Sequence, residues 1–117
     1  MNCCLITTDY EGKKVIFTES TRLIKKQKHP ELGNLGFITG RVNDAIKKPD
    51  FVYQDFDRPN ERRVHYLMEY QCNNKYRFTK VIIVCNKNPL EVINAFRPDY
   101  VKERNKTKLL FGKDIYV

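Results

Sequence analysis

Apolar and polar positions alternate along this chain in two different periods, and the change of period divides it. Residues 2–8 (Asn-Cys-Cys-Leu-Ile-Thr-Thr) and 13–17 (Lys-Lys-Val-Ile-Phe) read as strands. Asp9-Tyr10-Glu11-Gly12 between them is a turn signal, so an N-terminal hairpin over 2–17 is expected. Thr18 or Ser20 then caps a short helix over 19–28, which Pro30 and Gly33-Asn34 interrupt. Ile38, Val42 and Ile46 recur at i, i+4 and i+8, the stripe of an amphipathic helix over 36–48. Pro49 stops it, and Lys47-Lys48 fall in the last turn, where cations suit the helix dipole.

After Pro49 the period becomes two. Phe51-Val52-Tyr53 opens a strand, and Asp57-Arg58-Pro59-Asn60-Glu61 is a polar turn. Val64, Tyr66, Met68 and Tyr70 share one face of the next strand, with Arg63, His65, Leu67 and Glu69 on the other. Residues 76–85 form the most apolar strand, expected to be central and covered on both faces. A turn at Asn86-Lys87-Asn88-Pro89 leads to a last strand over Glu91–Phe96. Pro98-Asp99 reads as a helix start, and an apolar-basic segment closes the chain from Leu109 to Val117. Short polar turns between consecutive strands imply an antiparallel meander. The expected fold is therefore α+β, with N-terminal helices packed on an antiparallel sheet of about four strands.

Composition narrows the class. The chain has 117 residues, 41% of them hydrophobic, which suits one domain spanning 1–117. Its longest apolar run is Val81-Ile82-Ile83-Val84-Cys85, far short of the ~20 residues a membrane span needs. With no signal-peptide pattern at the start, a cytoplasmic protein without membrane contact is expected. Cys3 and Cys4 are adjacent while Cys72 and Cys85 are isolated, which does not match zinc-ligand spacing. Free thiols and no metal or other cofactor are expected.

Charge adds the strongest hint. Lys and Arg number 22 against 14 Asp and Glu, a formal charge of +8. They cluster: Arg22, Lys25, Lys26 and Lys28 crowd the first helix, and Arg97, Lys102, Arg104, Lys106, Lys108 and Lys113 crowd the C-terminal segment. Clustered basic segments are the footprint of a polyanion binder, RNA above all. The seven tyrosines and seven phenylalanines offer stacking platforms for unpaired bases, although most lie in alternating strands and read as core. Phosphate-loop, dinucleotide-fingerprint and Ser-elbow motifs are absent from the sequence.

RNA is cut without a metal when a base activates the 2′-hydroxyl, a cation stabilises the phosphorane and an acid protonates the leaving oxygen. Histidine serves both proton roles near neutral pH, and the chain has two, His29 and His65. His29 sits in the basic context Lys28-His29-Pro30-Glu31; His65 lies on the non-tyrosine face of a strand.

The order of these motifs resembles a known group. Lys28-His29-Pro30-Glu31, the helix ending Ile46-Lys47-Lys48-Pro49-Asp50, and strands ending Val92-Ile93-Asn94-Ala95-Phe96-Arg97-Pro98 are similar to the barnase–EndoU–colicin–RelE superfamily. The nearest branch is the phage- and mobile-element-associated barnase/EndoU-like nucleases, and the resemblance covers roughly residues 15–105. It implies a helical half on a four-stranded antiparallel sheet, and metal-independent ribonuclease activity of a toxin or phage factor. By position it implies a catalytic or substrate-contacting His29, a polar group from Arg63-Val64-His65-Tyr66 and a basic residue at Lys80. Members often end the last strand hydrophobic-Thr-Ala-aromatic with a hydroxyl near the phosphate. Asn94 and Phe96 depart from that pattern, and Asn94 supplies an amide donor instead.

The expected function is thus an endoribonuclease acting by 2′-hydroxyl transesterification. His29 is its base or acid, His65 the alternate proton carrier, Arg63 or Arg97 the cation, and Asn94 the orienting group. Lys25, Lys26, Lys28, Lys80, Lys102, Arg104 and Lys106 would hold RNA. An acidic antitoxin or inhibitor follows from the resemblance as a partner. Two other readings stand beside it: a non-catalytic nucleic-acid-binding protein on the same scaffold, and a factor that binds an acidic protein.

Overall fold

In a computed structural model residues 2–113 are described. Two strands come first, β1 (Cys3–Thr8) and β2 (Lys14–Thr18), joined by the expected hairpin turn. Helix α1 (Glu19–Lys26) starts directly on Thr18, whose hydroxyl accepts the backbone N–H of Thr21. A 3₁₀ turn (Pro30–Gly33) leads into a continuous helical run of α2 (Leu35–Phe37), a π-helical turn (Ile38–Val42) and α3 (Asn43–Lys47). Asn34 caps that run through its side-chain oxygen, which accepts from Gly36 and Phe37. The strands β3 (Phe51–Gln54), β4 (Arg62–Gln71), β5 (Lys75–Val84), β6 (Leu90–Phe96) and β7 (Leu109–Gly112) complete the chain.

Among the described residues seven strands make one mixed sheet, ordered β1-β2-β6-β5-β4-β3-β7. This corrects the expected fold of N-terminal helices on an antiparallel sheet of about four strands. The meander β3-β4-β5-β6 is present and antiparallel. The hairpin β1–β2 joins it, with β2 running parallel to β6 and Val15 opposite Leu90. Val15 and Phe17 are fully buried on the helix side, and this register is what buries them. At the other edge β7 pairs with β3, so the apolar segment from Leu109 is a strand. Gly112 permits that pairing: a Cβ there would lie 2.0 Å from the carbonyl oxygen of Asp50. No helix starts at Pro98-Asp99; residues 98–108 cross the sheet to deliver β7. The expectation for residues 114–117 lies outside the described residues.

Each face of the sheet carries a core. On the first face, Ile38, Val42 and Ile46 are all fully buried, as their spacing predicts. They pack with Val81, Ile83, Val92 and Ala95. Each of these buried Ile and Val side chains contributes roughly 1.5–3 kcal/mol on leaving water. The helical run touches β1 as well as β4 and β5, so the sheet curls around it. Tyr10 in the first turn meets Phe111 of β7 at 4.6 Å between ring centroids, bringing the two edge strands together. On the second face a smaller core gathers Phe51, Tyr53, Val64, Tyr66 and Phe78 under Val101 of the crossing segment.

Candidate functional site

The second face is only partly covered. The crossing segment lies over Tyr66, Phe78 and Lys80, and α1 flanks the face at β6. Between α1 and the uncovered part of β5 and β6 a cleft remains, made of two adjoining cavities of about 420 and 450 Å³. Lys28, His29 and Gln27 line the first, and Arg62, Ile82 and Thr21 line the second. Ile24, Lys25 and Asn94 belong to both.

His29 is positioned from two sides. The backbone N–H groups of Lys28 and His29 both donate to the Lys25 carbonyl, at 3.1 and 2.9 Å, which turns the chain tightly at the end of α1. The imidazole then stacks on Phe96, centroids 4.5 Å apart and planes 10° apart. Glu31 holds the following turn by accepting the Arg97 backbone N–H. Arg22 serves this geometry too: it bonds Glu19 and donates to the Leu32 carbonyl at 2.9 Å.

Asn94 owes its aim to a β-bulge. Asn94 pairs with Ile82 and Val92 with Ile83, so Ile93 is the extra residue. The Asn94 side-chain oxygen accepts the Ala95 backbone N–H at 3.0 Å. A backbone donor fixes that atom as the oxygen and leaves the amide NH₂ as the group free to donate.

The remaining expected residues are distributed over both faces. Arg63 is on the helix face, ion-paired with Glu11 of the first turn. That pairing lowers the Glu11 carboxyl chiefly through its hydrogen bond to Arg63. His65 is also on the helix face and fully buried. Its Nδ1 lies 3.0 Å from the Ala45 carbonyl and donates to it, while Nε2 has no partner. Burial pushes its pKa down to about 4. Arg97 bonds Glu69 at 2.6 Å, and Glu69 also takes Arg41 at 2.5 Å, beside a separate cavity under α2. The structure therefore joins His29, Asn94, Lys25 and Lys28 in one cleft and does not join them to Arg63, His65 or Arg97.

Lys80 is on the second face but buried, donating at 2.8 Å to Glu103. Tyr66 donates to the same carboxylate, and the Lys80 ammonium lies over the Tyr66 and Phe96 rings. Lys80 thus fastens the crossing segment and offers no surface to a polyanion. Lys26, Lys102 and Lys106 are exposed, and Arg104 is half-buried.

Arg62 is the residue that sequence reasoning missed. Parity along β4 puts it on the face of Val64 and Tyr66, and so in the cleft with Asn94. Among the described residues it makes no ion pair. The signal was available in the alternation that puts Arg63 on the opposite face. The cleft thereby holds one imidazole, three cations and two side-chain amides, those of Asn94 and Gln27. Among the described residues no group of three or more His, Cys, Asp or Glu side chains is gathered to hold a metal. No protein-family model, curated protein or solved structure matches this chain.

Proposed function

We propose that this chain is a metal-independent endoribonuclease whose site is the cleft between α1 and β6. The observation that carries the reading is the meeting of His29, Asn94 and Lys25 around one cavity, with Arg62 in the cavity that adjoins it. A phosphodiester in the cleft has its charge met by Lys25, Lys28 and Arg62. Asn94 orients a non-bridging oxygen through its amide NH₂. His29 accepts the 2′-hydroxyl proton; the O2′–P bond forms, the P–O5′ bond breaks, and the leaving oxygen takes a proton from solvent. Arg62 fills the role expected of Arg63 or Arg97. A cytoplasmic setting and an acidic inhibitor partner belong to the same proposal. Among the described residues no helix is long and apolar enough to cross a membrane.

One observation favours a second reading, RNA binding without cleavage: the other histidine is buried away from the cleft, so no second imidazole serves the leaving group. Paired oligonucleotides separate the two. An RNA with a single cleavable linkage is expected to be cut, and its counterpart with a 2′-deoxy sugar at that linkage to stay intact. Binding of both with cleavage of neither would establish the second reading.

A further inference from the structure

A second cavity of about 700 Å³ opens on the same face beyond the crossing segment, at the far end of β5. Lys75, Arg77 and Arg104 line it together with Tyr76 and Tyr100, and among the described residues the acid in its lining is Asp99. Asp99 neutralises little: it stands 3.8 Å from Arg77 and is itself 85% exposed. Tyr100 is 69% exposed, a large planar ring held at the rim of a cationic hollow. Exposed aromatic rings interleaved with Lys and Arg suit one chemistry well: a base stacks on the ring while the cations take its phosphate.

We propose that this cavity is a second nucleotide site, which holds one base and phosphate of a single-stranded RNA. RNA as the ligand rests on the proposed function, but binding here does not require that the cleft cut anything. The geometry ties the two sites to one strand. Phe78 lines this cavity and Ile82 lines the cleft, four residues apart on one face of β5, or about 13 Å at the rise of a strand. Between them Val101 and Glu103 point into the protein, while Lys102 between those two is exposed on the outer side of the crossing segment. A strand that occupies both sites passes over Lys102. Lys102 and Arg104 thus continue the track that begins at Lys25 and Lys28.

The test is fluorescence anisotropy with an unstructured ten-nucleotide oligouridine RNA, in chelator, on the His29→Ala background so that the probe stays whole. Tyr100→Ala is expected to weaken binding about tenfold or more, the loss of one base stack. Tyr100→Phe is expected to keep most of the affinity, and Arg77→Ala to weaken binding and flatten its salt dependence. Circular dichroism checks that each variant is folded. Unchanged affinity in folded Tyr100→Ala overturns the site. Uridine 5′-monophosphate is the second arm: binding as tight as the oligomer's overturns the assignment to a strand. Failure of cleavage with these binding losses intact would count against the proposed activity and leave this site standing.

Discussion

His29 lies flat on Phe96, ring planes 10° apart, at the end of the strand that carries Asn94. The stack makes Phe96 a positioning residue: it touches no substrate in the proposed cleft but sets the plane of the imidazole. Phe96 is also one wall of the Lys80 ammonium, at 5.6 Å. Aromatic pairs contribute roughly 0.5–1.5 kcal/mol beyond burial. Phe96→Leu is therefore expected to lower kcat several-fold while KM changes little, and Phe96→Tyr to restore it. Steady-state kinetics with a short RNA checks the split. A purely structural role would instead leave kcat of the folded variant untouched.

Arg62 and Arg63 are adjacent, yet the pleat gives them different work. Arg62→Ala is expected to weaken RNA binding and to reduce the salt slope by about 0.7, one phosphate contact on a single strand. Arg63→Ala removes the bond to Glu11 and should leave the slope within error of wild type. Titrations of labelled RNA at several salt concentrations measure both. Equal slopes for the two variants would remove Arg62 from the site.

The Lys80–Glu103 pair is buried, and Tyr66 donates to the same carboxylate. Burial and the Glu103 charge both hold the Tyr66 phenol well above its ordinary range, so it stays a donor. Removing one partner strands a charge, at a cost of about 3–5 kcal/mol. Glu103→Ala is expected to lose that much in urea unfolding. The triple change Tyr66→Phe, Lys80→Met and Glu103→Leu should recover most of it, because no charge or hydroxyl is then left unpaired. A Glu103→Ala loss below about 1 kcal/mol would show the crossing segment to be held by other contacts.

His65 predicts acid sensitivity. Its folded pKa of about 4 lies below the ordinary 6.5, so the unfolded chain binds the proton first as pH falls. The neutral ring's contribution is full above about pH 6.5 and is lost progressively down to about 4. A depression of that size corresponds to about 3 kcal/mol. His65→Gln keeps a donor for the Ala45 carbonyl without a titrating ring. The stability difference between wild type and His65→Gln is thus expected to shrink or reverse between pH 7 and 4, read from urea midpoints. A constant difference over that window would contradict the buried neutral imidazole.

Local elements were legible in the sequence, the seven-stranded mixed sheet they build was not, and the failures have physical causes. The stripe of Ile38, Val42 and Ile46 identified the helical cover, and the alternation through Val64, Tyr66 and Met68 identified β4 with the right faces. Local patterns of this kind carry their own signal. The pairing of β2 with β6 joins segments far apart in the chain, which no turn announces. β7 was hidden because basic residues surround its short apolar core and because its partner β3 is equally remote. Within the site, His29, Asn94 and Lys25 came from motif order and charge clustering. Arg62 was overlooked in favour of its neighbour, a one-residue shift that changes the face. Lys80 was legible as part of a central strand covered on both faces but not as an internal ion pair, since its partner Glu103 lies in a segment that reads as a helix start.

The proposed chemistry is RNA cleavage by His29 in the α1–β6 cleft without a metal. It is tested most directly by incubating end-labelled RNA in excess chelator with wild type and with His29→Ala, and identifying the new ends. Wild type is expected to leave fragments ending in a 2′,3′-cyclic phosphate, and His29→Ala to cut at least about a hundredfold more slowly, the usual scale of general-base catalysis. RNA left intact by the wild-type protein, or cut equally well by His29→Ala, would contradict it.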